Sequence, residues 1–308
     1  MKKVLYIQPL HPAGMEFLKS KYEVFIADSE DREFLKSIIG DYNAVVTRLT
    51  EIDRELIECG HRLEAIAKHG VGTDNIDVGF ADKKGIKIIT TGDANSNSVA
   101  EHAVVALGAL AKRVSYLNDA VRKGNWRARD EEGSVDLYGK IVGIIGFGRI
   151  GSRVARIMKH GFNMDVFIFD PFAARKDVEE KGYHYSAGVD ELCKIADFLT
   201  VHIPLTDKTR NLLDYRRLSI MKPTAYVANF ARGGVINEEA LYIALKEKMI
   251  AGAAVDVFEN EPVGKDYDLL SLDNILLSPH CAAFSEDARR KMSLAVARGI
   301  DEVFESTR

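Results

Sequence analysis

The chain is poor in cysteine. Cys59, Cys193 and Cys281 lie far apart in 308 residues, show no CxxC spacing and cannot all pair with one another. This usage points to free thiols in a reducing compartment, the cytoplasm, and no metal site is read from it. Long blocks of one charge are also missing: 42 Lys and Arg stand against 46 Asp and Glu, leaving a net charge of -4. That removes any electrostatic reason to expect a nucleic-acid partner. Nor is there a long apolar run. The opening "MKKVLYIQPL" is interrupted by Gln8, Pro9, His11 and Pro12 before a signal-peptide core or a membrane span could be completed. It reads as a first β-strand, and no membrane partner is expected. Low-complexity segments and short solenoid repeats are absent too.

What is there is an ordinary globular composition, 46% hydrophobic and 29% charged, in a chain long enough to predict two domains with a cleft between them. The runs "KVLYIQ", "YEVFIA", "AVVTR", "LEAIAKHG" and "IKIITT" alternate with helix-period segments such as "EDREFLKSIIGD". Alternation of this kind predicts a parallel sheet wrapped by helices. The segment 96–121 is expected to be one long, largely buried helix, with Ser98 as N-cap and Glu101 completing a capping box. A second series follows: "IVGIIG", "DVFIFD", "FLTVH", "AYVANF", "AGAAVDVF" and "NILLSPH". The chain closes on an amphipathic helix carrying Ala288, Met292, Ala295, Val296 and Ile300 on nearby turns. The fold class is α/β, with two doubly wound parallel-sheet units in tandem.

Between the strand "IVGII" and the helix "RIGSRVARIMKHG" lies "GFGRIG". A lone GxGxxG is a weak signal, because glycines also mark turns. Placed here, Gly146 permits the tight turn, Gly148 lets backbone approach a pyrophosphate, and Gly151 lets helix meet strand. The helix start at Arg149 and Ile150 offers backbone donors to phosphate. The next strand ends in Asp170, spaced to accept hydrogen bonds from both adenosine ribose hydroxyls and to repel a 2′-phosphate. The expected cofactor is NAD. Three further groups stand past predicted strands: Arg232, Glu261 and His280. Together they suit reversible oxidation of a 2-hydroxy acid. Arg232 would fork onto the substrate carboxylate, His280 would exchange the hydroxyl proton, and Glu261 would hold the imidazole and favour its protonated form. Singly, each has a plainer reading as a salt-bridging, solvated or packed residue.

"NFARGGVINEEAL", "AGAAVDVFENEP" and "NILLSPH" resemble, in order, the signature blocks of the D-isomer-specific 2-hydroxyacid dehydrogenases. The resemblance covers essentially the whole chain. It implies catalytic roles for Arg232, Glu261 and His280, a nicotinamide contact at Asp256, and cofactor-lining positions at Ala231 and in "TVHIPLT", which holds His202 and Pro204. His202 is expected to pack or position backbone rather than serve as a second acid, and Cys281 to pack. The implied architecture is a Rossmann dinucleotide-binding domain, 98–281, inserted into a flavodoxin-like substrate domain, 1–97 with 282–308. In "AIAKHGVGTDNIDV", Val71 and Gly72 would bind the substrate carboxylate through backbone N–H groups, and Lys68 could meet an acidic tail. Phosphoglycerate, hydroxypyruvate and glyoxylate are the candidate substrate types. A homodimer formed around the long helix is implied, and no appended regulatory domain is expected. The alternatives are an NAD(H)-sensing corepressor-like protein on the same fold, a formate dehydrogenase, which would carry Gln where Glu261 stands, and a glycine-loop methyltransferase, which would not explain Arg232, Glu261 and His280.

Overall fold

The computed structural model describes residues 1–131 and 133–306. They divide into two compact units, one made of Met1–Asn95 with the chain from Ala283 onward, the other of Ser96–Ala282.

The first unit runs β1 (Lys3–Tyr6), α1 (Pro12–Lys19), β2 (Glu23–Ile26), α2 (Arg32–Ile38), β3 (Ala44–Thr47), α3 (Arg54–Cys59), β4 (Ala65–Lys68), α4 (Val78–Lys83) and β5 (Lys87–Ile89). All pairings are parallel, in the order β2-β1-β3-β4-β5, the flavodoxin-like arrangement. Strand alternation splits each strand between two cores: Val4, Tyr6, Ala44 and Val46 face one, Leu5 and Val45 the other. Burial on both faces is why these strands read as continuous apolar runs. Each such buried aliphatic side chain contributes about 1.5–3 kcal/mol. One core is completed by Val296, Ala297, Ile300 and Phe304 of the closing helix, Glu286–Ser306. A Cβ on Gly14 would sit 2.3 Å from the Ser293 carbonyl oxygen, so only glycine lets α1 lie against that helix. Tyr22 Oη donates to Asp301 at 2.8 Å, pinning the helix further along. The end of the chain therefore belongs to the unit its beginning started.

The second unit begins with α5 (Ser96–Ala111) and α6 (Val114–Arg122). The single helix expected over 96–121 is thus two. The Ala111 carbonyl accepts from Val135 N at 2.8 Å, and Arg113 takes φ 52°, which ends the first helix and turns the chain into the second. The helix also starts at Ser96, so Ser98 lies inside its first turn and is not the N-cap. Then follow β6 (Ile141–Ile145), α7 (Arg149–Phe162), β7 (Asp165–Phe169), α8 (Arg175–Glu180), β8 (His184–Tyr185), α9 (Val189–Ile195), β9 (Phe198–Val201), α10 (Tyr215–Ser219), β10 (Tyr226–Asn229), α11 (Glu238–Lys246), β11 (Gly252–Val255) and β12 (Ile275–Leu277). The sheet is parallel, in the order β12-β11-β10-β9-β6-β7-β8, with its direction of growth reversing between β6 and β9. That reversal is the doubly wound switch point, where the carboxyl ends of strands leave a ligand crevice.

Candidate active site

Every residue singled out in this unit follows the carboxyl end of a strand. Gly146 follows β6, Asp170 follows β7, His202 follows β9, Arg232 follows β10, Glu261 follows β11 and His280 follows β12. Because all pairings are parallel, these loops gather on one edge of the sheet.

The three glycines of the turn are not equivalent. Gly146 has φ +96°, and a Cβ there would come within 2.5 Å of the His202 carbonyl oxygen. A Cβ on Gly151 would sit 1.9 Å from the Gly146 carbonyl oxygen. Both positions need glycine to fold. A Cβ on Gly148 would meet no atom within 4 Å, so the protein's own packing does not demand glycine there. Gly148 is also the N-cap of α7, with no side-chain cap and no acidic residue in the first turn. Uncapped donors beside open space fit the pyrophosphate of a dinucleotide. Asp170 secures this turn from the next strand: its Oδ2 accepts from Phe147 N at 2.7 Å and its Oδ1 from Phe172 N at 2.8 Å. Each oxygen retains acceptor capacity. Pro204 and the half-buried His202 line the loop after β9. Burial pushes the His202 imidazole down to about 3, so it is neutral. One ring nitrogen lies 3.0 Å from Thr200 Oγ1, while buried Nδ1 has no partner among the described residues. That orphaned polar atom also fits a site completed by a bound group.

The other three residues are placed by tight backbone contacts. Asn229, the last residue of β10, folds its amide over the following turn, accepting from Ala231 N at 3.1 Å and donating to the Arg232 carbonyl at 2.8 Å. A Cβ on Gly233 would lie 2.0 Å from the Phe258 carbonyl group, so glycine lets the Arg232 turn press on the loop that carries Glu261. There Glu261 Oε1 accepts from Phe258 N at 2.9 Å, and Oε2 lies 2.7 Å from His280 Nδ1. Burial raises the Glu261 carboxyl, but the His280 ring, the Phe258 amide and the Arg232 charge outweigh it and hold the group below its ordinary range. An ionised carboxylate only accepts, so Nδ1 carries a proton and Nε2 is the nitrogen left for exchange.

His280 sits in the left-handed region at φ 49°, and Asp256 stabilises that turn. The Asp256 carbonyl accepts from His280 N at 2.8 Å. Its carboxylate, 1% exposed, takes Ser278 Oγ at 2.5 Å, Cys281 N at 2.9 Å and Ala282 N at 2.9 Å. Of about four acceptor positions on a carboxylate, one remains for a cofactor amide. Asp256 is therefore chiefly a clamp on the loop that carries the histidine. The Cys281 thiol is pushed up by burial and by Asp256, and so stays protonated. Asn229 and Ser278 carried no signal in the sequence beyond being polar residues at the ends of apolar strands.

In the first unit, Val71 and Gly72 follow β4, and among the described residues neither amide N–H has a hydrogen-bond partner. Lys68 ends β4, and its ammonium donates to the Arg48 carbonyl and to Asn75 Oδ1. Ala231 lies between Asn229 and Arg232, its carbonyl accepting from Arg232 Nη1 at 2.7 Å.

A doubly wound sheet with a glycine turn at its switch point and an Arg, Glu and His set past adjacent strands defines a dinucleotide-dependent oxidoreductase class. Comparison narrows it: residues 104–282 match the NAD binding domain of the D-isomer specific 2-hydroxyacid dehydrogenases, and the chain belongs to that family. It is 40% identical over 304 residues to D-3-phosphoglycerate dehydrogenase of Methanocaldococcus jannaschii, covering 98% of this chain and 57% of that protein. The chain thus spans little more than half the length of that relative. Glyoxylate reductase of Pyrococcus furiosus is 39% identical over 308 residues, covering 97% of this chain and 91% of that one. Among solved structures, Aquifex aeolicus D-lactate dehydrogenase complexed with NAD and lactic acid superposes with a TM-score of 0.87 at 28% identity, covering 99% of this chain and 96% of that one.

Proposed function

We propose that the chain is an NAD-dependent D-2-hydroxyacid dehydrogenase, or 2-ketoacid reductase, acting on a small acid of the phosphoglycerate, hydroxypyruvate or glyoxylate type. The observation that carries this reading is the 2.7 Å pair of His280 Nδ1 and Glu261 Oε2, on loops neighbouring the one that holds Arg232. The turn at Gly146, Gly148, Arg149, Ile150 and Gly151 would hold the pyrophosphate, and Asp170 the adenosine ribose. Ala231, His202, Pro204 and Asp256 would line the remainder of the cofactor site. When bound, the nicotinamide supplies the hydride. Arg232 forks onto the substrate carboxylate and polarises the adjacent carbonyl. His280 Nε2 gives its proton to the carbonyl oxygen in reduction and takes it back in oxidation, while Glu261 holds the ring and stabilises its charge. The free amides of Val71 and Gly72 would take the substrate carboxylate, and Lys68 an acidic tail.

The assembly belongs to the same proposal. Val105, Val114, Tyr116, Val121, Trp126 and Tyr138 are exposed apolar residues concentrated in one stretch of the second unit, which supports a homodimer formed there. Three free cysteines support a cytoplasmic location. Among the described residues no helix is long and apolar enough to cross a membrane.

The test is a panel of 2-keto acids with NADH and with NADPH, followed by loss of reduced-cofactor absorbance. Turnover of at least one keto acid, with higher kcat/KM for NADH, is expected. Binding of NADH without turnover of any keto acid would refute the proposed activity, and equal or better efficiency with NADPH would refute the role given to Asp170.

A further inference from the structure

A second acid is fastened to the loop that carries Glu261. Glu238 opens α11, on the same stretch of chain as Arg232, where the side chain of Asn237 already caps the helix by accepting from Ala240 N at 2.8 Å. Glu238 is therefore not needed as the cap. Its carboxylate turns away from the helix instead: Oε1 accepts from Glu259 N at 2.7 Å, and Oε2 accepts from Tyr267 Oη. Both oxygens are used on the loop between β11 and β12.

Stability does not explain an acid in this place. Burial pushes the Glu238 carboxyl up, and the charges of Glu259 and Glu261 push the same way, against the two donors. A partly buried carboxylate beside two like charges is an unfavourable means of merely tying down a loop. The Tyr267 phenol is pushed up by burial and by Glu238, so it keeps its proton and remains a donor. Its ring stands edge-on to that of Phe258, with centroids 5.8 Å apart at 86°, and Phe258 is buried in the core of the unit. Tyr267 thus seats Glu238 with its hydroxyl and packs Phe258 with its ring.

What the carboxylate holds is the peptide on which Glu261 depends. Phe258 N donates to Glu261 Oε1 at 2.9 Å, and the next amide along the chain, Glu259 N, donates to Glu238 Oε1. Peptide units are planar and these two share one Cα, so fixing the second limits where the first can point. Gly233 meets the same peptide, for a Cβ there would lie 2.0 Å from the Phe258 carbonyl carbon and 2.5 Å from Glu259 N. The stretch that begins at Arg232 therefore grips Phe258–Glu259 twice, once by close approach at Gly233 and once by the hydrogen bond from Glu238. That grip sets Arg232 and Glu261 in one register, and Glu261 Oε2 carries it on to His280 Nδ1 at 2.7 Å.

From this arrangement we infer that Glu238, seated by Tyr267, is a positioning residue for proton transfer: it fixes the Phe258–Glu259 peptide and, through it, the Glu261 carboxylate against His280. The inference rests on the function proposed above, because it acts through the pair assigned there. Among the described residues the Glu238 carboxylate bonds to Glu259 N and Tyr267 Oη, and it reaches the reacting groups by way of Glu261.

The experiment measures kcat, KM and NADH affinity, with the best keto acid of the panel, for Glu238→Ala, Glu238→Gln and Tyr267→Phe, each alone and combined with Glu261→Gln. Glu238→Ala is expected to lower kcat by roughly 10- to 100-fold, the effect of a misplaced catalytic group, while KM and NADH affinity change at most a few-fold. Glu238→Gln should recover most of that loss, because its amide oxygen still accepts from Glu259 N and its NH2 faces a phenol that can accept in turn. Tyr267→Phe should cost roughly 3- to 10-fold in kcat, the worth of one hydrogen bond, and it serves where Glu238→Ala fails to fold. In the Glu261→Gln background Glu238→Ala and Tyr267→Phe should cost little more, since the carboxylate they position is gone. Multiplied losses in both backgrounds would overturn the inference, as would wild-type kcat with only a lower Tm, or a loss confined to NADH affinity. All three would leave the dehydrogenase reading intact. If no keto acid turns over, amide hydrogen exchange at Phe258 and Glu259 decides what is left. Faster exchange in Tyr267→Phe would keep the tie and reject its catalytic role together with the activity, and unchanged exchange would reject the tie as well.

Discussion

Replacing Glu261 by Gln tests the centre of the proposed mechanism, because the two changes it makes can be separated by direction of reaction. Glu261 Oε1 accepts from Phe258 N at 2.9 Å, so a Gln amide is oriented with its oxygen there and its NH2 toward His280 Nδ1. The negative charge is lost, and a donor now faces a nitrogen that must itself donate when the ring is protonated. Charge centres about 4 Å apart interact by roughly 1 kcal/mol in water and about 4 kcal/mol at an effective dielectric of 20. The ring is 45% exposed and the carboxylate 32%, so the low end applies, about 1–2 kcal/mol after screening. Reduction needs the protonated ring, and its rate falls on the alkaline side; in Glu261→Gln that limb should move toward lower pH. Oxidation needs the neutral ring, and its acid limb should move the same way. The facing NH2 also favours the neutral tautomer with hydrogen on Nε2, which cannot act as base, so oxidative kcat should fall even at its optimum. The assay is kcat/KM against pH in both directions for wild type and variant. Limbs in place with unimpaired rates would show that Glu261 is an ordinary loop acid and that the dyad does no chemistry.

The same site supports further expectations. Arg232→Lys should lose most turnover while NADH affinity, measured by fluorescence titration, stays close to wild type, because Lys keeps the charge but not the fork; loss of NADH binding with turnover retained at saturating cofactor would make Arg232 a cofactor residue. Gly151→Ala, whose Cβ would press on the Gly146 carbonyl at 1.9 Å, should lose about 1–3 kcal/mol of stability in a denaturant melt. Gly148→Ala meets open space and should melt within about 1 kcal/mol of wild type, yet bind NADH more weakly; equal affinity would place the pyrophosphate elsewhere. Glu261 is held below its ordinary range, so its contribution to stability is present above its unfolded value and lost as pH falls through the folded one; acid melts of Glu261→Gln should therefore lose less stability over that window than wild type.

How much of this was legible in the sequence depends on how far apart the interacting residues lie. The strands were legible because burial on both faces leaves runs such as Ala44–Thr47 and Phe198–Val201 with every residue buried. Gly146, Gly148 and Gly151 were legible because the motif lies within six positions between a strand and a helix, and Gly146 and Gly151 have no room for a Cβ. The two-residue strand His184–Tyr185 is too short to show a period. The helix break at Arg113 depends on Val135 reaching back to Ala111, a contact that helical periodicity cannot register. The stacking of Arg48 on Phe284 was hidden for the same reason, because it joins two distant stretches of the chain.

Three carboxylates of the second unit show why residue type alone does not assign a role. Asp170, Asp256 and Glu261 each follow a strand, and each accepts from backbone N–H groups. What separates them is the acceptor capacity left over. Asp256 has three of its acceptor positions taken by one hydroxyl and two amides and is sealed from solvent, so it fixes the left-handed turn at His280 and keeps only one position for anything else. Asp170 gives one position on each oxygen to its own loops and keeps the other, which matches a pair of ribose hydroxyls. Glu261 spends one oxygen on Phe258 and turns the other wholly to His280, so its charge acts on the ring proposed to exchange the proton. Chemistry in this unit is therefore divided by how many donors the backbone has already supplied to each carboxylate.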